Sequence, residues 1–321
     1  MNTPFKCFPA FKDYLWGGEQ LGTLYAHLDP PTPVAEAWVL SCNPDGESVI
    51  ATGPYKGSTL SSYIRLRGDE VLGSHCVDMP FFPLLIKLID AKEKLSIQVH
   101  PDDAYALENE GSYGKTEMWY VLDCEEDAYL YYGFKKDITR VSCLSNIMEN
   151  TIESKLNKVP VKKGDIFFIP PGTVHAIGGG ILLAEVQQNS SLTYRMYDYD
   201  RRDAEGNPRE LHVEKAIAVS DLRGIDPASP RQAAVAYGEY TVLRLASCPY
   251  FTVEHVLFDG TAPFTAGETS FQSLTCIGGE GVLRDSEGVE LPFEKGDNIF
   301  VPAGYGEYRV EGNGALLLSY V

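Results

Sequence analysis

Lys163-Gly164-Asp165-Ile166-Phe167-Phe168-Ile169-Pro170-Pro171-Gly172-Thr173-Val174-His175 decides how the chain is read, because the chain repeats it as Lys295-Gly296-Asp297-Asn298-Ile299-Phe300-Val301-Pro302-Ala303-Gly304-Tyr305-Gly306-Glu307. The offset is constant at 132 residues (295 − 163), and both copies share Lys-Gly-Asp, a phenylalanine and Pro-x-Gly. In each, Gly-Asp makes a tight turn into a β-rich run and Pro-x-Gly turns the chain out of it. A β unit used twice predicts a duplicated fold of two jelly-roll-like β-barrels, where a lone hairpin would share only Gly-Asp. Between the copies, Leu222-Arg-Gly-Ile-Asp-Pro-Ala-Ser-Pro-Arg231 is rich in Pro and Gly and has no periodicity. That stretch marks the junction between a first unit, residues 1–225, and a second, residues 232–321.

Outward from the repeat, the chain reads as mainly β with short helical insertions. Glycine (30), proline (20) and tyrosine (19) are plentiful among the 321 residues, and long amphipathic helices are hard to find. Ala37–Ser41, Leu84–Ile89, Leu95–His100, Met118–Leu122, Ala128–Tyr132, Ile166–Ile169 and Ile181–Val186 read as strands, several with Gly, Pro or Asp at their edges. Asp102–Glu110 follows a proline and starts with paired aspartates, and Ile138–Lys158 spaces its apolar residues helically, so both are expected to hold short helices.

Composition excludes several classes of function. At 44% hydrophobic residues the chain can bury a large core, and Lys+Arg 27 against Asp+Glu 45 gives a net charge of −18. Nucleic acid and anionic membrane surfaces are poor partners for such a chain. No apolar run is long enough to span a bilayer, and Met1–Gly18 lacks the pattern of a secretory signal, so the expected setting is the cytoplasm. Seven cysteines without a Cys-x-x-Cys pair suit neither a disulfide framework nor a thiolate metal site. Nothing in the sequence signals an oligomeric state.

The two copies of the repeat differ where chemistry is concerned: the first ends in His175, the second in Glu307. Upstream, Gln98 and His100 stand two apart on an expected strand, so their side chains leave the same face. Glu117 lies at the mouth of another strand. Gln98, His100, Glu117 and His175 thus form a mixed nitrogen and oxygen donor set that can converge inside one barrel, suited to a borderline divalent ion, with zinc the leading choice and water in an open position. An amide in place of a third imidazole argues against an iron oxygenase.

These residues carry a resemblance. Leu84-Leu-Ile-Lys-Leu-Ile-Asp-Ala-Lys-Glu-Lys-Leu-Ser-Ile-Gln-Val-His-Pro-Asp-Asp103, Gly114-Lys-Thr-Glu-Met-Trp-Tyr120 and Pro170-Pro-Gly-Thr-Val-His-Ala-Ile177 resemble type I phosphomannose isomerase. So do Trp16-Gly-Gly, Glu36-Ala-Trp-Val-Leu-Ser41 and the run Glu185–Arg201, so that nearly all of the first two-thirds of the chain is covered. The Gln-x-His-Pro segment with its Lys-x-Glu partner is specific, whereas Pro-x-Gly-x-x-His occurs across many metal-binding barrels of the cupin type. The resemblance implies a double cupin fold, one zinc ion per chain, and interconversion of mannose 6-phosphate and fructose 6-phosphate. It places the zinc ligands on Gln98, His100, Glu117 and His175, and the site's arginine, lysine and carboxylate on Arg195, Lys115 and Glu185. Only 58 positions (175 − 117) separate the third and fourth ligands, too few for the large helical insertion of longer relatives.

Aldose–ketose isomerisation takes a proton from carbon next to a carbonyl and returns it to the neighbouring carbon, so it needs a base and a group that holds an enediolate. Arg195 is expected to hold that charge, and Lys115, Glu185 or a metal-bound water to move the proton. Lys94, Lys115, Arg195, Arg201 and Arg202 are the cations near the motifs that can meet a phosphate. A non-catalytic sugar-binding or regulatory cupin is the alternative function. Trp16-Gly17-Gly18 lacks a phosphate-loop pattern and reads as a tight turn. Asp198, Asp200 and Asp203 lack the spacing of a calcium loop, and His27, His75, His212 and His255 read as structural or exposed.

Overall fold

The computed structural model describes residues 3–202, 206–227 and 233–321. Asp203 and residues 228–231 of the expected junction lie outside the described residues. Two antiparallel sheets face each other in the first part of the chain. One has six strands in the spatial order Ile166–Ile169, Glu117–Cys124, Ile181–Gln188, Leu84–Ala91, Glu36–Leu40 and Ala10–Lys12. The other has five, in the order Leu156–Pro160, Tyr129–Phe134, His175–Ile177, Ile97–Val99 and Tyr194–Tyr197.

The six-stranded sheet is covered on both faces, and this explains why its strands read as continuous apolar runs. Leu84, Ile86, Leu88, Met118, Leu182, Ala184 and Val186 pack outward with Phe251, Phe271, Phe300 and Leu317 of the C-terminal part. The alternate residues Ile89, Trp119, Val121 and Leu183 face inward, where they join Leu130 and Ile177 of the five-stranded sheet. Behind the five-stranded sheet, helices Arg140–Met148 and Val213–Val219 supply Cys143, Ile147, Ala216 and Ile217 to a third cluster with Ile97, Val99, Tyr194 and Met196. Period-2 alternation therefore sends Gln98 and Arg195 into the space between the sheets while their strand neighbours fill the outer layer.

The C-terminal part is a nine-stranded sheet dominated by Thr252–Ala266, Gln272–Asp285 and Gly306–Tyr320, and its interior is apolar: Phe258, Leu274, Leu283, Phe293, Val310 and Leu316. The N-terminal strand Phe5–Phe8 pairs with Asn298–Val301, and Val49–Ile50 pairs with Phe5–Phe8 in turn, so this sheet draws on both ends of the chain. Several glycines in its long strands leave no room for a side chain. A Cβ on Gly279, whose φ is +72°, would lie 2.1 Å from the Asn313 carbonyl oxygen, a distance no side chain survives.

The mainly β reading holds, with the sheets open and packed face to face rather than closed into barrels. The repeat is visible in the backbone. Gly164 and Gly296 have φ of +87° and +98°, and Gly172 and Gly304 have φ of +83° and +70°. Asp165 accepts from the Lys162 amide and Asp297 from the Glu294 amide, both at 2.9 Å. Helix Asp103–Glu110 forms as expected, capped by the Asp102 carboxylate. Within Ile138–Lys158 the expected short helix covers Arg140–Met148 and does not run on to Lys158. It stops at Met148, Asn150 turns the chain at φ +56°, and Leu156–Pro160 becomes an edge strand against Tyr129–Phe134, where Leu156 is buried.

Candidate metal centre and active site

His100, Glu117 and His175 present ligand atoms that all lie within 4.8 Å of one another. Glu117 begins its strand in the six-stranded sheet, His175 begins its strand in the five-stranded sheet, and His100 follows strand Ile97–Val99 directly, so the two sheets together build the cluster. His100 Nε2 is 3.3 Å from Glu117 Oε1, and His175 Nε2 is 3.7 Å from Oε2. Each imidazole faces a main-chain carbonyl through Nδ1, Leu192 for His100 and Thr173 for His175, both at 2.8 Å. Donation from Nδ1 leaves the Nε2 lone pair aimed at the cluster. Gln98 is paired with His175 across the strands, and its amide lies 3.5 Å from His175 Nε2. The amide's nitrogen and oxygen ends have the same shape, so a half-turn aims the oxygen at the same point.

The residues fit a cation. His100 Nε2 and both Glu117 oxygens are buried and make no hydrogen bond, a costly arrangement that a positive ion among them relieves. Lys115 Nζ stands 3.0 Å from Glu117 Oε1. Burial, followed by the Lys115 charge, pushes His100 down to about 3, and burial lowers His175 as well. Burial alone would raise Glu117, but Lys115 and His100 hold it well below the usual carboxylate range. Neutral imidazoles beside an ionised carboxylate are the protonation states a divalent cation binds. Among the described residues no other His, Cys, Asp and Glu group has such geometry. Glu307, the counterpart of His175, is exposed.

A cavity of about 540 Å³ opens between the sheets beside this cluster, and Gln98, Lys115, Glu185 and Arg195 all line it. On its six-stranded wall Lys87, only 6% exposed, stands between Glu185 Oε1 at 3.1 Å and Glu36 Oε2 at 3.7 Å. Trp119 Nε1 donates to Glu185 at 2.8 Å and Trp38 Nε1 to Glu36 at 2.6 Å, so each carboxylate has a second fixed partner. Burial raises Glu185 above the ordinary range despite the nearby lysines. Burial alone would lower Lys87, but Glu185 and Glu36 keep it raised and charged. On the opposite wall Arg195 is paired in register with Gln98 and donates to the Glu210 carbonyl at 2.8 Å.

The cations do not all fall where their position near the motifs suggests. Lys94 pairs with Glu153 and lies over Tyr199, Arg201 is engaged by Asp198 and the Lys94 carbonyl, and Arg202 pairs with Asp200; none lines the cavity. Sequence reasoning gave no role to Lys12, Glu36, Lys87 and Arg209, which do line it. Lys87 had a signal: a lone cation within Leu84–Ala91, a buried strand apolar at every other position but Asp90. Asp198 is buried between Arg201 and Arg209, which excludes it as a calcium ligand.

The profile of the type I phosphomannose isomerase catalytic domain matches residues 5–158, and that of the mannose-6-phosphate isomerase cupin domain matches residues 241–321. The curated mannose-6-phosphate isomerase ManA of Bacillus subtilis strain 168 is 39% identical over 325 residues, covering 98% of this chain and 97% of that protein. The crystal structure of the mannose 6-phosphate isomerase from Bacillus subtilis superimposes with a TM-score of 0.92 at 37% identity, over 99% of this chain and 100% of that one. A mannose 6-phosphate isomerase crystallised with zinc and yttrium shares the fold, with a TM-score of 0.76 at 18% identity over 99% of each chain. The isomerase reading therefore stands over the non-catalytic alternative, and with similarity along its whole length and a buried His-Glu-His cluster in place, the chain belongs to the type I phosphomannose isomerase family of cupin-fold enzymes.

Proposed function

We propose that the protein interconverts mannose 6-phosphate and fructose 6-phosphate with one zinc ion held by Gln98, His100, Glu117 and His175. The observation that carries this reading is the buried His100, Glu117 and His175 cluster, with ligand atoms within 4.8 Å of one another, beside a cavity of about 540 Å³ lined by Gln98 and Lys115. Two imidazoles, a carboxylate and an amide oxygen suit zinc, which supplies Lewis acidity to the oxygens of the reacting carbons without redox chemistry. The two walls divide the remaining work. Glu185, desolvated and raised above its ordinary range, moves the proton between the two carbons, while Lys87 and the Trp119 indole hold its carboxylate in one orientation. Lys115 neutralises Glu117, and Arg195 faces the charge that develops on the sugar oxygens with directed N–H donors. Trp16, Trp38 and Ile177 give part of the cavity wall an apolar surface. The proposed setting is the cytoplasm, supported by seven cysteines of which none forms a disulfide among the described residues.

The test is a coupled assay on purified protein, with metal measured on the same sample. Chelation abolishes conversion of mannose 6-phosphate and zinc restores it, at one ion per chain. Full activity in metal-free protein rejects the reading.

A further inference from the structure

We infer that Arg209, held on the cavity wall by Asp198, recognises the phosphate group of the substrate. The inference rests on the function proposed above, because it assigns the far end of the same cavity. The two walls differ in charge. Carboxylates on the six-stranded side, Glu36 and Glu185, accompany Lys12, Lys87 and Lys115, and Asp45, from the turn beside Lys12, adds a third carboxylate to that side. The five-stranded side contributes Ser96, Gln98, Thr193, Arg195 and Arg209, with Ser191 nearby, and no carboxylate lines it. In a chain of net charge −18 a phosphate monoester, which carries about −1.5 to −2 at neutral pH, is accepted where positive charge is left over.

Charge is left over at Arg209. Its Nε donates to Asp198 Oδ2 at 2.8 Å and a terminal nitrogen donates to Oδ1 at 2.5 Å. Arg201 also binds Oδ1, so one buried carboxylate carries two guanidiniums and the group keeps a net positive charge. The fork grip on Asp198 fixes the plane of the Arg209 guanidinium and spares its remaining N–H groups for a ligand. Arg195 is tied to this segment: it donates to the Glu210 carbonyl at 2.8 Å, and the His212 amide donates to the Arg195 carbonyl at 2.7 Å. Arg195 thus stands between the metal cluster, through its strand neighbour Gln98, and Arg209. A hexose with its reacting carbons at the metal directs its sixth carbon away from it, along this wall, towards Arg209 and the Thr193 hydroxyl. Arg201 acts through Asp198 and is a positioning residue.

Inorganic phosphate is the probe, as an inhibitor competing with mannose 6-phosphate, alongside turnover of mannose, which lacks the phosphate. In Arg209→Gln the inhibition constant of phosphate rises by about tenfold to a hundredfold, the factor for losing hydrogen bonds to a charged group. The ratio of kcat/KM for mannose 6-phosphate to that for mannose falls by a similar factor, with most of the change in KM. Arg209→Lys, which keeps the charge and loses the fork, shifts both in the same direction and serves if the glutamine variant does not fold. Wild-type values of both quantities in the folded variant overturn the inference, as does a rise in the phosphate constant for Lys12→Gln in its place. Absence of mannose 6-phosphate turnover in the unmodified protein is a different result and removes the proposed function itself.

Discussion

Replacing Lys87 with methionine removes the cation between two buried carboxylates while keeping the length of the side chain. With Glu185 at 3.1 Å and Glu36 at 3.7 Å, the two attractions come to about 5 and about 4.5 kcal/mol at an effective dielectric near 20, before the cost of desolvating the ammonium is set against them. Breaking a buried pair by removing one partner typically costs about 3–5 kcal/mol, because the other charge is left without compensation. The pH dependence has a defined sign. Burial already raises Glu185 in the folded protein, and losing Lys87 raises it further. A carboxyl whose folded pKa exceeds its unfolded value of about 4.3 binds more protons when folded, so its stability contribution is lost as pH rises between the two. The Lys87→Met deficit is therefore small near pH 4.5 and grows to about 3–5 kcal/mol near pH 8. Urea denaturation followed by tryptophan fluorescence at the two pH values reads it, since Trp38 and Trp119 donate to the affected carboxylates. A deficit that is the same at both pH values, or below about 0.5 kcal/mol near pH 8, refutes the reasoning that Lys87 compensates these two charges.

Two further outcomes follow from the same geometry. His175→Ala loses bound metal on gel filtration followed by elemental analysis, whereas Glu307→Ala, altered at the matching position of the second repeat, retains it; equal loss in both contradicts a single site. Arg195→Ala lowers kcat by about a hundredfold or more, the usual factor for a donor facing developing charge, while its urea midpoint changes little, and unchanged turnover removes Arg195 from the reacting end of the cavity.

Much of the site was legible because it depends on short-range geometry. A period of two on a strand decides which face a side chain leaves by, so Gln98 and His100 separate from Ile97 and Val99 whatever the rest of the chain does. The turns of the repeat were legible for the same reason, since a left-handed backbone at Gly164 and Gly296 is a local demand that glycine meets best. The Glu36–Lys87–Glu185 arrangement was not, because its members come from three strands whose adjacency is a matter of sheet order. Nearness in sequence also misled: Arg201 ends the Glu185–Arg201 run and Arg202 follows it, yet aspartates claim both, and Arg209, further along the chain, reaches the cavity. The helical spacing that runs to Lys158 gave way to an edge strand because the five-stranded sheet had an open hydrogen-bonding edge at Tyr129–Phe134 that local periodicity does not report.

By itself the sequence determined the strand-rich architecture and the two copies of one turn–strand–turn unit, and it named His100, Glu117 and His175, which gather in one buried cluster, since alternation, turn chemistry and side-chain type are properties of a few neighbouring residues. Only the tertiary structure decided that the sheets stay open, that Phe5–Phe8 completes the C-terminal sheet, and which charges share the cavity. Those outcomes depend on which distant strands lie side by side, and that order is chosen by the burial of whole faces rather than by any one segment.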